Sequence, residues 1–427
     1  MPLTEKGYLP RVIDAELSRT LEVFGAACVQ GPRWCGKTWT SLNQAESVIY
    51  IGDPAGNFQN RRLAELDPSL VLAGDTPHLV DEWQEVPGIW DAVRFEVDRS
   101  AAKGRFLLTG SSTPQRKGVM HSGVGRIRTV DMRPMSLYES GDSTAEVSLG
   151  QLFDSALPPT PTGQRTLEEL VRLIVRGGWP ESIRQDEDGA RMLAESYLKL
   201  TTEDDASRID GTTRDPHKLL MLLRSLARNE STLAKNSTLR RDMLEFDDET
   251  LAPDTITEYL SVLRRLFVVW EQPAFSPRLR SSIRVGKSPK RHLADPSLAA
   301  GALGVGSAEL MADLETLGRL FEDMCERDLA GYAQALGGKL FHYRDASGRE
   351  VDAIVELDDG RWGTFEIKIG ANQIDAAAKS LLAVRGLMDN DPTAKPPSIL
   401  VVVCGMTRAA YTRPDGVMVV PPTALRP

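Results

Sequence analysis

Cysteine is scarce and scattered in this chain, with four residues in 427, at positions 28, 35, 325 and 404. That spacing supplies neither a disulfide framework nor the paired ligands of a zinc site. No apolar run approaches the roughly 20 residues needed to cross a bilayer. The opening Met1-Pro-Leu-Thr-Glu-Lys6 lacks the apolar core of a signal peptide. A reducing cytoplasm, with no membrane attachment, is therefore the expected setting. An excess of positive charge is also missing: 51 Lys and Arg stand against 60 Asp and Glu, a net charge of −9. This argues against a coat of nucleic acid along the whole chain, although a local basic surface can still hold phosphates. What is present, 41% hydrophobic and 26% charged residues, is an ordinary globular composition. The length exceeds that at which a single core stops growing, so two or three domains are expected.

The most informative stretch is Gly31-Pro-Arg-Trp-Cys-Gly-Lys37-Thr38, which satisfies Gly-x4-Gly-Lys-Ser/Thr. The short apolar run 26–30 before it reads as a buried strand, and 38–45 can continue as a helix. Glycines at 31 and 36 let successive N–H groups point into one concavity, to which the helix adds its positive dipole end. A triphosphate suits that cradle. Lys37 reaches the β- and γ-phosphates and the Thr38 hydroxyl helps to hold Mg²⁺. The residues expected around ATP are Gly31, Pro32, Arg33, Trp34, Cys35, Gly36, Lys37, Thr38 and Trp39, joined by Asp81 and Ser111. Cys35, beside a helix N-terminus, is also a candidate for a thiol of lowered pKa that oxidises readily.

A second apolar strand ends in adjacent carboxylates, Asp81-Glu82. Asp81 at its tip can position Mg²⁺ through water, while Glu82 can orient and deprotonate the attacking water, so the pair implies hydrolysis rather than binding alone. Another strand ends in Thr109-Gly-Ser111-Ser112, where ligands of open α/β sheets bind. Ser111 could sense the γ-phosphate, or the segment could be ordinary turn chemistry. Arg126, flanked by Gly123 and Gly125, could stabilise transition-state charge in cis or from a neighbouring subunit of a homo-oligomer, or it could form a surface salt bridge. Residues 7–24 read as a helix leading into the first strand.

Residues 141–165 are rich in Ser, Thr, Pro and Gly and read as a loop or module boundary. Helical text follows at 167–176, then a fixed bend at Gly177-Gly-Trp-Pro-Glu181, then three helices at 218–228, 238–244 and 254–266, the last running into a strand at 267–270. That is the order of a winged helix-turn-helix. Lys218, Arg224, Arg228, Lys235, Arg240 and Arg241 face a single acid, Glu230, between 217 and 241, a surplus that suits DNA phosphates. The segment 278–291 adds six basic residues and no acid, and could extend the footprint or simply be a solvated face.

Beyond a helix carrying Glu322, three strands are expected at 339–343, 350–356 and 362–368, a helix at 373–386 and a strand at 398–403. Alternation sets Glu366 and Lys368 on one strand face, where Asp352 and Glu366 could share a divalent metal beside the lysine. This resembles the Asp…Glu-x-Lys core of restriction-endonuclease-like folds, with Val351-Asp352 in place of the usual Pro-Asp. The chain from Tyr8-Leu-Pro-Arg11 through the phosphate loop, Val80-Asp-Glu82, Leu108-Thr-Gly-Ser-Ser112, Gly125-Arg126, Gly177-Gly-Trp-Pro-Glu181, Lys290 through Asp295-Pro-Ser-Leu298, and Glu350-Val-Asp352 before Glu366-Ile-Lys368 resembles the AAA-type P-loop ATPases with a C-terminal domain of unknown function 4143. The resemblance implies an α/β architecture in three parts. A P-loop ATPase domain with a parallel sheet spans 1–160, a helical, winged-helix-like region 161–275, and an endonuclease-like domain 276–427. The functions in view are an ATP-hydrolysing switch acting on DNA or a protein, an ATP-regulated metal-dependent nuclease, and a nucleotide-dependent binding protein that does not hydrolyse.

Overall fold

A computed structural model describes residues 2–100, 102–113, 122–244, 252–278, 288–345 and 347–427. The chain divides into two compact units. The first comprises Met1–Pro134, Glu203–Arg214 and Ser261–Val268; the second comprises Met135–Thr202, Asp215–Leu260 and Val269–Pro427. This grouping differs from the division into three parts. Residues 135–160 lie in the second unit, and the helical middle is no unit of its own.

The first unit is built on five parallel strands, β1 (Ala26–Gln30), β2 (Ser47–Tyr50), β3 (His78–Asp81), β4 (Phe106–Gly110) and β5 (Ile127–Asp131), in the order β2-β3-β4-β1-β5. Their apolar runs are explained by burial on both faces, the rule for parallel sheets; β3 and β4 are buried at every position. Val80, Phe106 and Leu108 join Trp83, Ile89 and Val93 in one core cluster. The expected helix 7–24 is shortened to Asp14–Val23. Gly7, at φ 89°, and Pro10 keep the first residues out of it, and this segment is instead held to the helix's first residue: the Tyr8 hydroxyl donates to Asp14 Oδ1 at 2.6 Å and the Arg11 N–H to Asp14 Oδ2 at 2.9 Å.

The second unit contains β6 (Val147–Ser148), β7 (Thr160–Pro161), β8 (Val269–Gln272), β9 (Lys290–Leu293), β10 (Lys339–Arg344), β11 (Glu350–Glu356), β12 (Trp362–Lys368), β13 (Ile399–Cys404), β14 (Ala409–Thr412), β15 (Met418–Val420) and β16 (Leu425–Arg426). Seven of them form a mixed sheet in the order β10-β11-β12-β13-β15-β14-β7. The helix Ile374–Asp389 lays Ile374, Ala377, Ala378, Leu381, Val384 and Met388 on the sheet residues Ile354, Leu400 and Val402. The helix Leu314–Ala335 packs against β10, β11 and β12. The segment 141–165 is more than a boundary loop, since it supplies β6, paired with β16, and β7, paired with β14.

The helices Pro216–Arg228, Asn236–Leu244 and Pro253–Arg265 occur in the expected order. The following strand starts at Val269 rather than 267, because Phe267 turns the chain with φ 57°. Of the basic segment 278–291, residues 279–287 lie outside the described residues.

The Gly177-Gly-Trp-Pro bend is a close approach of backbones. A Cβ on Gly178 would sit 2.1 Å from Met135 O, whereas one on Gly386, inside the helix Ile374–Asp389, would meet nothing within 4 Å. Gly178→Ala is expected to destabilise by about 1–3 kcal/mol, the usual cost of overpacking. Gly386→Ala is expected to stabilise by roughly 0.5–1 kcal/mol through helix propensity. Calorimetric unfolding of the two variants should move in opposite directions.

Candidate functional site

Strand β1 leaves the interior of its sheet between β4 and β5, and the loop 31–36 follows from its C-terminal end. Gly31 is required there because any Cβ would lie 2.1 Å from Met132 O. Gly36, at φ 101°, turns the chain into the helix Lys37–Leu42. Lys37 is buried, and its Nζ donates to Pro32 O at 2.8 Å, across the loop it belongs to. Arg33 pairs with Asp205 at 2.8 Å. Arg11 fixes the loop from behind: its guanidinium donates to Cys35 O at 2.6 Å and Arg133 O at 2.7 Å. Neither Arg11 nor Asp205 was among the expected site residues; Tyr8-Leu-Pro-Arg11 marked the first, and nothing in the spacing marked the second. Trp34 and Trp39 are exposed, while Pro32 and Cys35 are buried. The redox-active thiol expected at Cys35 is corrected by that burial, since at 0% exposure it is closed to oxidants in solution.

Strand β4 lies between β1 and β3, and this decides how the two halves of the site meet. Asp81, at the tip of β3, accepts at the same Oδ1 from Thr38 Oγ1 at 2.8 Å and Thr109 Oγ1 at 2.7 Å. Burial raises the Asp81 carboxyl above its usual range, and the two hydroxyls pull it back. Thr109 also accepts from the Glu82 N–H at 3.0 Å. Glu82 itself is in left-handed backbone, φ 59°. Its Oε2 accepts from Ser111 Oγ at 2.9 Å and from Gln84 Nε2. Ser111, expected near the γ-phosphate, thus holds Glu82, Thr38 ties Asp81 to the helix that follows the loop, and Thr109 ties Asp81 to the Glu82 backbone. The signal for it was present in the same strand end.

Arg126 requires a correction of its cis role. It precedes β5 at the N-terminal end of the sheet, where Ala26 pairs with Ile127, and its Nε donates to Asp98 Oδ1 at 2.7 Å. Five residues of parallel strand, roughly 15 Å, separate that end from the phosphate loop.

The residues present fit a magnesium nucleotide. The loop cannot take a side chain at Gly31, a buried ammonium caps it, and Thr38 with Asp81 offers the hard oxygen donors that Mg²⁺ prefers.

A second acidic centre lies in the other unit. β11 and β12 are antiparallel, with Ala353 opposite Phe365, so one step further sets Asp352 opposite Glu366. Lys368 Nζ contacts Asp352 Oδ2 at 3.0 Å and Glu366 Oε2 at 2.8 Å, and the Ile367 N–H donates to Asp352 Oδ2 at 2.8 Å. Lys290 Nζ, outside the expected set, donates to Glu322 Oε1 at 2.7 Å, Glu326 Oε1 at 2.8 Å and Asp352 O at 3.1 Å. Burial first, and the Asp352 charge second, push Glu366 up to about 7. Burial raises Glu322 to about 7 and Glu326 to about 8 against the pull of Lys290.

Comparison with known proteins gives the class first. Residues 24–141 match the family described as AAA domain, and the parallel sheet with its phosphate loop is the P-loop NTPase fold. Residues 317–425 match the domain of unknown function 4143, and 167–309 match another, 8612. Residues 24–141 thus carry an AAA-type P-loop domain and residues 317–425 a domain of unknown function 4143. Uncharacterized proteins of Mycobacterium bovis and Mycobacterium tuberculosis are each 27% identical over 359 residues, 83% of this chain and 72% of theirs. Among solved structures, the Walker-type ATPase of Pyrococcus abyssi aligns with a TM-score of 0.46 at 14% identity, over 70% of this chain and 97% of that one. The Aeropyrum pernix ORC1 protein in complex with DNA aligns with a TM-score of 0.26 at 16% identity, over 72% and 96%.

The raised Glu366 carboxyl has a sign that can be checked. A group whose folded pKa lies above its unfolded value contributes stability that is complete below about pH 4.5 and lost as pH rises through about 7. In metal-free buffer the melting temperature is expected to fall between about pH 5 and pH 8, and to fall less in Glu366→Gln, which has no proton to lose. Parallel curves for the two proteins would contradict the raised carboxyl.

Proposed function

We propose that the protein binds ATP with Mg²⁺ in the cradle Gly31–Thr38 and hydrolyses it, acting as a nucleotide-driven switch on DNA or a protein partner in the cytoplasm. The observation that carries this reading is the linkage Thr38–Asp81–Thr109, with Glu82 one residue beyond. Bound Mg²⁺ would supply charge neutralisation for the phosphates, held by Thr38 directly and by Asp81. Lys37 exchanges Pro32 O for phosphate oxygens. Glu82, released from Ser111 and Gln84, orients a water and takes its proton. Arg126 is exposed at the far end of the sheet, so any part it plays in turnover is at a neighbouring copy in a homo-oligomer. Phosphate release should fall by about 10²–10⁴-fold in Glu82→Gln with ATP binding retained, and Lys37→Ala should lose both. Turnover unchanged in both variants would remove the reading.

DNA is the partner favoured by the basic residues of 217–241. Glu230, the one acid among them, is 1% exposed and so adds no negative charge to that surface. A winged-helix role for these helices and an endonuclease-like role for the C-terminal domain belong to this proposal.

A second reading, a metal-dependent nuclease regulated by ATP, is favoured by the convergence of Asp352, Glu366 and Lys368 within 3.0 Å of one another through the lysine. Those two carboxylates would hold the metal and Lys368 would steady developing charge. Plasmid cleavage in Mn²⁺ or Mg²⁺ is then expected from wild type and abolished in Lys368→Ala; equal cleavage by both would place any nuclease activity elsewhere.

A further inference from the structure

His292 on β9 is fully buried, and three carboxylates from two other segments surround one of its ring nitrogens. Nδ1 lies 3.1 Å from Asp323 Oδ1, 3.2 Å from Glu230 Oε1 and 3.7 Å from Glu326 Oε2. All four side chains are 0–1% exposed. Glu230 follows the helix Pro216–Arg228, and Asp323 and Glu326 stand one turn apart on the helix Leu314–Ala335.

The tautomer of His292 follows from its other partner. Gln272 Nε2 donates to Phe341 O at 2.9 Å and Asp352 O at 3.3 Å, which leaves Gln272 Oε1 facing His292 Nε2 at 3.0 Å. Nε2 must carry a hydrogen to satisfy that oxygen. In the neutral ring Nδ1 is then a lone pair, directed among carboxylate oxygens. Charging the ring is disfavoured by burial and by the Lys290 ammonium, both of which push its pKa well down.

The nearby cations do not resolve the conflict. Lys290 is engaged by Glu322 and Glu326, and Arg327 by Asp295 and Asp328. Glu230 and Asp323 have no cation of their own among the described residues, and Asp323 Oδ2, fully buried, has no hydrogen-bond partner. Nitrogen and oxygen ligands that are each about 2.1 Å from a shared ion lie roughly 3.0–3.4 Å apart. The contacts from Nδ1 to Asp323 and Glu230 fall in that range.

We propose that Glu230, His292 and Asp323, supported by Glu326, form a closed binding site for one divalent transition-metal ion. An imidazole among carboxylates, without thiolate, suits Zn²⁺, Mn²⁺ or Fe²⁺ rather than Mg²⁺ or a soft metal. With every ligand buried and no open position toward solvent, the ion is structural. It fastens the helical segment before β8 to β9 and to the long helix. The site is distinct from the Asp352–Glu366–Lys368 centre and from the nucleotide loop, so it stands or falls independently of both.

The full-length protein is unfolded in chelator, refolded with Zn²⁺ or Mn²⁺ alone, desalted, and its metal counted by elemental analysis. The expected result is one equivalent of metal per chain, retained in Glu366→Gln, reduced at least about tenfold in Asp323→Asn, and accompanied by a raised melting temperature. X-ray absorption on the zinc-loaded wild type should show only nitrogen and oxygen donors, including one imidazole, which decides the matter even where Asp323→Asn does not fold. Wild-type protein that refolds with neither metal bound would show that protons on Glu230 and Asp323, not a cation, settle the cluster. Loss of the metal in Glu366→Gln would assign it to the other centre. Either outcome overturns the proposal.

Discussion

A charge taken out of water must be met by another charge or by hydrogen bonds, at a cost of several kcal/mol otherwise, and much of the second unit follows from this constraint. The helix Leu314–Ala335 carries Asp323, Glu326, Arg327 and Asp328 in succession, none more than 4% exposed. Each demands a partner from a distant part of the chain. Arg327 bonds Asp295 at 2.6 Å and Asp328 at 2.7 Å, and Asp328 Oδ2 accepts the Leu137 N–H at 2.9 Å. Asp295 in turn accepts the Gly178 N–H at 3.0 Å and caps the helix Pro296–Leu303 through the Ser297 N–H. Glu326 draws in Lys290, and Lys290 bonds Asp352 O at the edge of the Asp352–Glu366–Lys368 centre. One helix thereby sets the positions of residues spread over more than two hundred places in the sequence.

The same constraint acts in the first unit through fewer groups. Asp81 is placed by two hydroxyls, one from the first turn of the helix Lys37–Leu42 that follows β1 and one from β4, the strand between β1 and β3. Parallel order makes this possible. The loop after β1 and the tips of β3 and β4 all emerge at one end of the sheet, and the Thr109 side chain is short enough to touch both Asp81 and the Glu82 backbone. Arg126 shows the converse: at the start of β5 rather than its end, it falls at the end of the sheet away from the phosphate loop.

Local pattern carried the phosphate loop, the strand ending in Asp81-Glu82 and the Asp352–Glu366–Lys368 set, because each depends on periodicity or spacing within fewer than about twenty residues of strand, turn or loop. It did not carry Arg11, Thr109, Asp205 or Lys290 as site residues. Their roles arise from pairing across long separations, and a lone arginine or threonine at an element's end looks the same whether or not it has a partner. The left-handed turn at Phe267 was equally hidden, since a bulky residue seldom adopts φ > 0 and nothing adjacent announces it. The division into three parts followed from the resemblance and the stretch 141–165 was read as a boundary from its composition, but neither reveals that 147–148 and 160–161 pair with strands near the C-terminus.

The motifs that seemed least functional are explained by the same buried network. Gly177-Gly-Trp-Pro and Asp295-Pro-Ser are far apart in the chain, yet Trp179 Nε1 donates to Ser297 Oγ at 3.0 Å, and a Cβ on Gly177 would lie 2.3 Å from Asp295 Oδ1. The glycines are there to let a backbone N–H approach a buried carboxylate, and the proline after Asp295 starts the helix that carboxylate caps. A polar contact of this kind is directional, so it selects one arrangement of backbone where an apolar contact of equal area would tolerate several. The charged interior of the long helix therefore specifies which segments meet around β9, and the acidic centre at Asp352 inherits its geometry from that choice.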